Sequence, residues 1–277
     1  MDPISAQVSG VGAGSSGAML AVDNPNRARL IDLVTASRIL ENEGVLDSYG
    51  HVSVRSATDP THFFMPRALP PGAITAADIV ELDLDCTPIV PNPPRFNGER
   101  YIHSEIYKAR PDVHCVIHSH SPAVIPFSVA GVPLRPVVAQ GGFLPPVTPV
   151  FEIREATGPV EVRGMLVTTS ALGACLAAKL GDAPAILLRG HGDAVVGASV
   201  KQAVVRAIYV SLNARVQAEA LKLSPTITAL DDAELAHNAK ENFDVDRPWA
   251  NFKRRLTEGY YARGRDLPEG FALEAIA

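Results

Sequence analysis

The run VHCVIHSH, residues 113–120, does most to limit what this chain can fold into. It is short, apolar and β-branched, and the turn signal ARPD precedes it. A run of that length bounded by turn residues fits a buried strand better than a helix. A second such run, APAILLRGHG at 183–192, ends in glycines and is followed by DAVVGAS, which reads as the return strand of a hairpin. Helical periods surround these runs: ERYIHSEIYKAR before the first, SALGACLAAKLGD before the second, and the long VKQAVVRAIYVSLNARVQAEALKLS after it. Strands alternating with helices predict an α/β chain.

The remaining segments extend that pattern. RARLIDLVTASRILENEG puts Leu30, Ile31, Val34, Ile39 and Leu40 on one helical face, with Asn24 as the expected cap, Pro25 in the first turn and Gly44 as the stop. YGHVSVRS and THFFMP read as strands, and Thr75 to Asp78 as a capped turn leading into a third. The Pro-rich TPIVPNPPRFNG is a loop, PAVIPFSVAG a short helix, residues 132–163 are loop-rich, and two helices are expected near 231–242 and 248–263. Residues 1–25 are rich in Gly and Ser and read as a flexible tail, and 26–277 as one domain.

A net charge of −5 argues against nucleic acid as the main partner, but leaves room for a small anionic substrate in a local cationic pocket. The three cysteines form no CxxC pair, which fits a reducing compartment. No apolar run is long enough to span a bilayer, and the first residues lack the pattern of a signal peptide. The expectation is a cytoplasmic protein without a membrane partner.

His118 and His120 stand two apart. In an extended chain such residues share a face, so both imidazoles can reach one ion; a pair of polar residues at a strand end would look the same. His191, between Gly190 and Gly192, ends another buried strand and would complete a set of three imidazoles with positions left for substrate. Glu99 opens the helix leading into the first strand. It can be a fourth ligand, a general acid–base, or simply a favourable charge in a first turn.

GERYIHSEIYKARPDVHCVIHSHSPAV followed by LLRGHG resembles the class II aldolase/adducin superfamily. The resemblance implies a three-layer α/β/α fold around a mostly antiparallel sheet. It implies a divalent ion (manganese, zinc, iron or cobalt) on His118, His120 and His191, with Glu99 beside it. It also implies a homo-oligomer, commonly a tetramer, with sites between subunits. Three departures from the sugar-phosphate aldolases stand out: His51, Pro66-Arg67 and Asn97-Gly98 replace small phosphate-binding donors. They resemble the decarboxylase branch, which acts on hydroxylated aromatic or ring-derived dicarboxylates such as a dihydroxyphthalate or a hydroxypyridine dicarboxylate.

On that resemblance Glu99 is expected to carry the proton, with His51 as the alternative. Arg67 is expected to grip a substrate carboxylate through its planar fork, with Arg100 and Phe143 as further substrate contacts. His103, one turn after Glu99, is expected in a buried hydrogen bond; His62, His114 and His237 read as structural, and Tyr260 and Tyr261 as packing residues. The competing functions are an aldolase acting on a hydroxy-keto acid or sugar phosphate, and an adducin-like binding module with an inactive site.

Overall fold

A computed structural model describes residue 21 and residues 23–91, 93–156, 164–240 and 244–262. Most of the stretch read as a tail lies outside these residues, as do the side chains of Tyr260 and Tyr261.

The chain begins with helix α1 (Arg27–Asn42), strands β1 (His51–Arg55), β2 (His62–Pro66) and β3 (Ile79–Asp83), then helix α2 (Arg100–Ala109) and strand β4 (Cys115–Ser119). Short helix α3 (Ile125–Val129), strand β5 (Val150–Phe151) and helix α4 (Ser170–Leu180) follow. The hairpin of β6 (Ala185–Leu188) and β7 (Gly192–Gly197) leads into α5 (Val200–Leu223), α6 (Asp232–Lys240) and α7 (Asp246–Ala262). The helix α1 starts two residues later than Pro25 suggested. The side chain of Asn24 accepts the Asn26 N–H at 2.8 Å, and Asn26 turns away from the helix to accept the Ala57 N–H at 2.7 Å. The capped turn at Thr75 forms as expected, each residue's side chain bonding to the other's backbone.

The seven strands form one sheet in the order β3-β2-β1-β4-β7-β6-β5, antiparallel throughout except for the β5–β6 edge. Alternation along β4 sends Cys115 and Ile117 into one core, with α1, α5 and α7, and Val116 into another, with α2 and α4. Helices therefore cover both faces, the expected α/β/α layering. His118 shares the face of Val116, toward α2. In β1, His51, Ser53 and Arg55 face the same way, while Val52 and Val54 face α1. No helix among the described residues is long and apolar enough to cross a membrane.

The turn between β6 and β7 depends on its glycines. Gly190 has φ +63°, and a Cβ on Gly192 would sit 1.8 Å from the Ser119 carbonyl oxygen. That oxygen belongs to the neighbouring strand and cannot swing aside. Gly192→Ala should therefore cost roughly the upper end of the 1–3 kcal/mol typical of overpacking, read as a lower denaturant midpoint at unchanged slope.

Candidate metal centre and cavity

Three neighbouring strands and one helix start bring the site together. His118 lies near the end of β4, paired across the ladder with His51 of β1. His120 is one residue beyond β4, and His191 sits in the β6–β7 turn. Glu99 is the cap residue of α2. The four donor atoms lie within 4.8 Å of one another.

Two of the three rings are turned by their other nitrogen, while the Nδ1 of His191 is buried without a partner among the described residues. His118 Nδ1 donates to the Asp193 carbonyl at 2.8 Å, which leaves its Nε2 as a lone pair. That Nε2 is buried and hydrogen-bonds to nothing among the described residues. His120 Nδ1 faces both oxygens of Asp47 at 3.1 Å, so its Nε2 also points inward as a lone pair. His191 Nε2 lies 3.1 Å from His120 Nε2. Glu99 Oε2 is 3.4 Å from His118 Nε2 and 3.4 Å from His191 Nε2, while its Oε1 accepts the Val167 N–H at 2.9 Å.

These residues fit a divalent ion. Two donors each ~2.1 Å from one ion stand ~3.0 Å apart at a right angle and ~3.4 Å apart at the tetrahedral angle. Ring nitrogens held at 3.1 Å need a proton or a cation between them. The electrostatics agree. Burial alone would raise the Glu99 pKa, but the facing His118 and His191 rings hold it far below the usual carboxylate range. Burial would lower that of His118, yet Glu99 and the Asp193 carbonyl carry it above the ordinary histidine value. The pocket draws positive charge to itself.

Behind this cluster runs a buried hydrogen-bond chain. His51 Nδ1 meets His103 Nε2 at 2.7 Å, His103 Nδ1 meets Ser53 Oγ at 2.7 Å, and Ser53 Oγ meets the Tyr107 hydroxyl at 2.8 Å. Burial, with the neighbouring rings, pushes the His51 pKa well below its ordinary value and that of His103 to about 3. Both rings are neutral near pH 7.

In front of the cluster opens a cavity of about 930 Å³. His51, Glu99, His120 and His191 form its polar wall; Tyr49, Leu69, Phe96, Met165 and Leu166 form an apolar one. Three residues expected to touch substrate lie outside this lining. Arg67 is absent from the lining, because its Nε donates to Asp78 at 2.7 Å: the anion of the capped turn is its nearer partner. Phe143 also lies elsewhere, its ring 5.7 Å from the Arg206 guanidinium in a smaller cavity of about 360 Å³, since its turn packs on α5. Arg100 is likewise not on the cavity wall. One residue along a helix turns the side chain by ~100°, and Arg100 stacks on Tyr101 at 4.7 Å instead. The readings of the residues did not single out Asp47, Arg95 or Met165. Asp47 carries a signal in DSYG, since its Oδ1 also accepts the N–H groups of Tyr49 and Gly50, each at 2.9 Å, as turn-forming Asp residues do.

The architecture and the site agree with what is similar to this chain. Residues 31–218 match the family described as Class II Aldolase and Adducin N-terminal domain. The decarboxylase tropJ of Talaromyces stipitatus is 39% identical over 201 residues, 69% of this chain and 76% of that protein. A 3,4-dihydroxyphthalate decarboxylase of Arthrobacter keyseri is 30% identical over 82% of this chain and 94% of its own length. Among solved structures, the L-fuculose 1-phosphate aldolase of Glaciozyma antarctica superposes with a TM-score of 0.68 at 24% identity, covering 93% of this chain and 97% of that one, a likeness of fold. With the sheet order, the two helical layers and a family match spanning most of its length, the chain belongs to the class II aldolase and adducin family.

Proposed function

We propose that this protein is a divalent-metal-dependent decarboxylase of a hydroxylated aromatic dicarboxylate. The observation that carries the reading is the meeting of a charged Glu/His cluster with an apolar wall in one cavity. A planar ring can lie against Phe96, Leu166 and Met165 while its ortho hydroxyl and carboxylate turn to the cluster. The relatives named as decarboxylases, one of them for 3,4-dihydroxyphthalate, support the same choice.

A bound divalent ion would supply Lewis-acid stabilisation of the negative charge that grows as the carbon–carbon bond breaks. His118, His120 and His191, with Glu99, would hold it. The rest falls to groups of the chain. The apolar wall excludes water and fixes the ring. Glu99, ionised at the start, takes the proton that the substrate's ring hydroxyl gives up and passes it to the ring carbon bearing the leaving carboxylate; carbon dioxide departs, and the bonding electrons stay in the ring and restore its aromaticity. His51 borders the same space and offers its Nε2 to a substrate oxygen. One domain over 26–277 and assembly into a homo-oligomer, a tetramer on the resemblance, belong to this reading; the exposed Tyr49 and Leu166 at the cavity supply apolar surface for a neighbouring copy.

A release assay tests the reaction. Protein loaded with manganese or zinc is expected to liberate carbon dioxide from 3,4-dihydroxyphthalate or a related ortho-hydroxy dicarboxylate. A chelator should lower the rate by ~10³-fold or more, several kcal/mol of lost charge stabilisation. Aldehyde release from a hydroxy-keto acid or a phosphorylated ketose, with no carbon dioxide from the aromatic panel, would overturn it.

A further inference from the structure

We propose that Arg95 binds the carboxylate that remains on the substrate and so makes the site selective for dicarboxylates. The proposal rests on the decarboxylase reading for the identity of the ligand, and on the following geometry for the residue.

Arg95 is the sole Arg or Lys among the residues lining the cavity. The neighbouring cations have partners and none lines the cavity, although the Nε of Arg100 is buried without one among the described residues. Arg67 is held by Asp78, Arg189 by Glu152 at 2.9 Å, and Arg100 by the Asn97 carbonyl and Tyr101. The Arg95 guanidinium has no hydrogen bond or ion pair with any of the described residues, and its side chain is exposed. Its backbone, by contrast, is fixed. The Arg95 carbonyl accepts the Ala68 N–H at 3.0 Å, Pro94 restricts the chain before it, and Phe96 packs against the α2–α4 core after it. An anchored backbone with a free cationic fork is the arrangement expected of a group that waits for an anion.

Substrate chemistry requires such a group. The donor cluster can take one carboxylate and its ortho hydroxyl. A second carboxylate on the ring would then stand among Tyr49, Phe96 and Leu166, stripped of water on one side and unpaired. Arg95 is the cation on that wall. In 3,4-dihydroxyphthalate the carboxylate beside the hydroxyl would face the cluster and leave, and the other would stay on Arg95.

The test compares two ligands that share the chelating half. These are 3,4-dihydroxyphthalate and 2,3-dihydroxybenzoate, which lacks only the carboxylate assigned to Arg95. With the metal-loaded protein, Arg95→Ala should raise the KM of the dicarboxylate roughly 10- to 100-fold, the scale of one charge-assisted bond. Its effect on 2,3-dihydroxybenzoate binding should stay within about threefold, and Arg95→Lys should recover part of the loss because it keeps the charge. An equal loss for both ligands, or none for either, would overturn the proposal. Calorimetric binding of phthalate against benzoate reads the same contrast without turnover. Selective loss of phthalate binding in a protein that releases no carbon dioxide would leave Arg95 standing and defeat the reaction. Carbon dioxide release with selectivity unchanged by Arg95→Ala would do the reverse.

Discussion

His120→Ala is expected to abolish carbon dioxide release and to lower affinity for the divalent ion by well over ~100-fold, with the fold intact. The reasoning starts from position. His120 lies past the end of β4 and is half-buried, so its removal leaves the ladder untouched. His118→Ala and His191→Ala should match it in metal loss. His118→Ala would also leave the Asp193 carbonyl without its donor and should show a lower melting temperature in addition. The scale is set by what lies behind the rings. Removing an outer hydrogen-bond partner of a metal-bound histidine typically costs 10–100-fold in affinity, so Asp47→Ala should fall in that range and loss of the ring itself beyond it. Elemental analysis after dialysis, with titration calorimetry of the metal alone, reads the series. Full metal content in any of the three histidine variants would break the assignment of that residue.

Glu99→Gln should lower turnover by ~10²-fold or more, the usual scale for loss of a general acid, and should weaken metal binding as well. The second effect follows from Val167. Its N–H already occupies one oxygen of Glu99, and the amide must keep its own oxygen there to satisfy that donor. The –NH₂ then faces His118 and His191, where it donates into the lone pairs an ion would use. Turning the amide over would set two N–H groups against each other. Glu99→Asp keeps the charge but shortens the reach, and should retain more metal than turnover. Near-normal turnover in the Gln variant would remove Glu99 from the proton's path.

Much of this centre could be read in advance because its residues lie on regular elements. A period of two sets His118 and His120 on one side, a helix turn sets His103 behind Glu99, and the glycines around His191 mark a close approach of strands. The substrate side was read less well, for physical reasons. Arg67 looked available because a sequence does not show that Asp78, eleven positions on, folds back to meet it. Phe143 sits in a stretch without periodicity, so nothing indicated which side of the sheet it would reach. Arg95 was hidden in PNPPRFNG, where prolines announce a loop but give no direction for the side chain. The late start of α1 has a similar cause: Asn26 could have capped the helix, and a long-range partner at Ala57 drew it away.

The buried chain from His51 through His103 and Ser53 ends at Tyr107, and that closed end restricts what His51 can contribute. Each of its three bonds can run either way, so the chain can run in two senses. One shows the cavity a lone pair on His51 Nε2 and the other an N–H, with no difference in charge. A net proton sent out through His51 is another matter. Each hydrogen would move one place forward and leave a phenolate on Tyr107, whose pKa burial drives well above the ordinary tyrosine value. A net proton taken in would strand an imidazolium among fully buried rings. The wall is therefore electroneutral: it can adapt to either polarity of a substrate oxygen but is a poor reservoir of protons. Glu99, which lines the cavity with one oxygen toward His118 and His191 and the other on the Val167 N–H, is the group to which the proposed proton transfer falls.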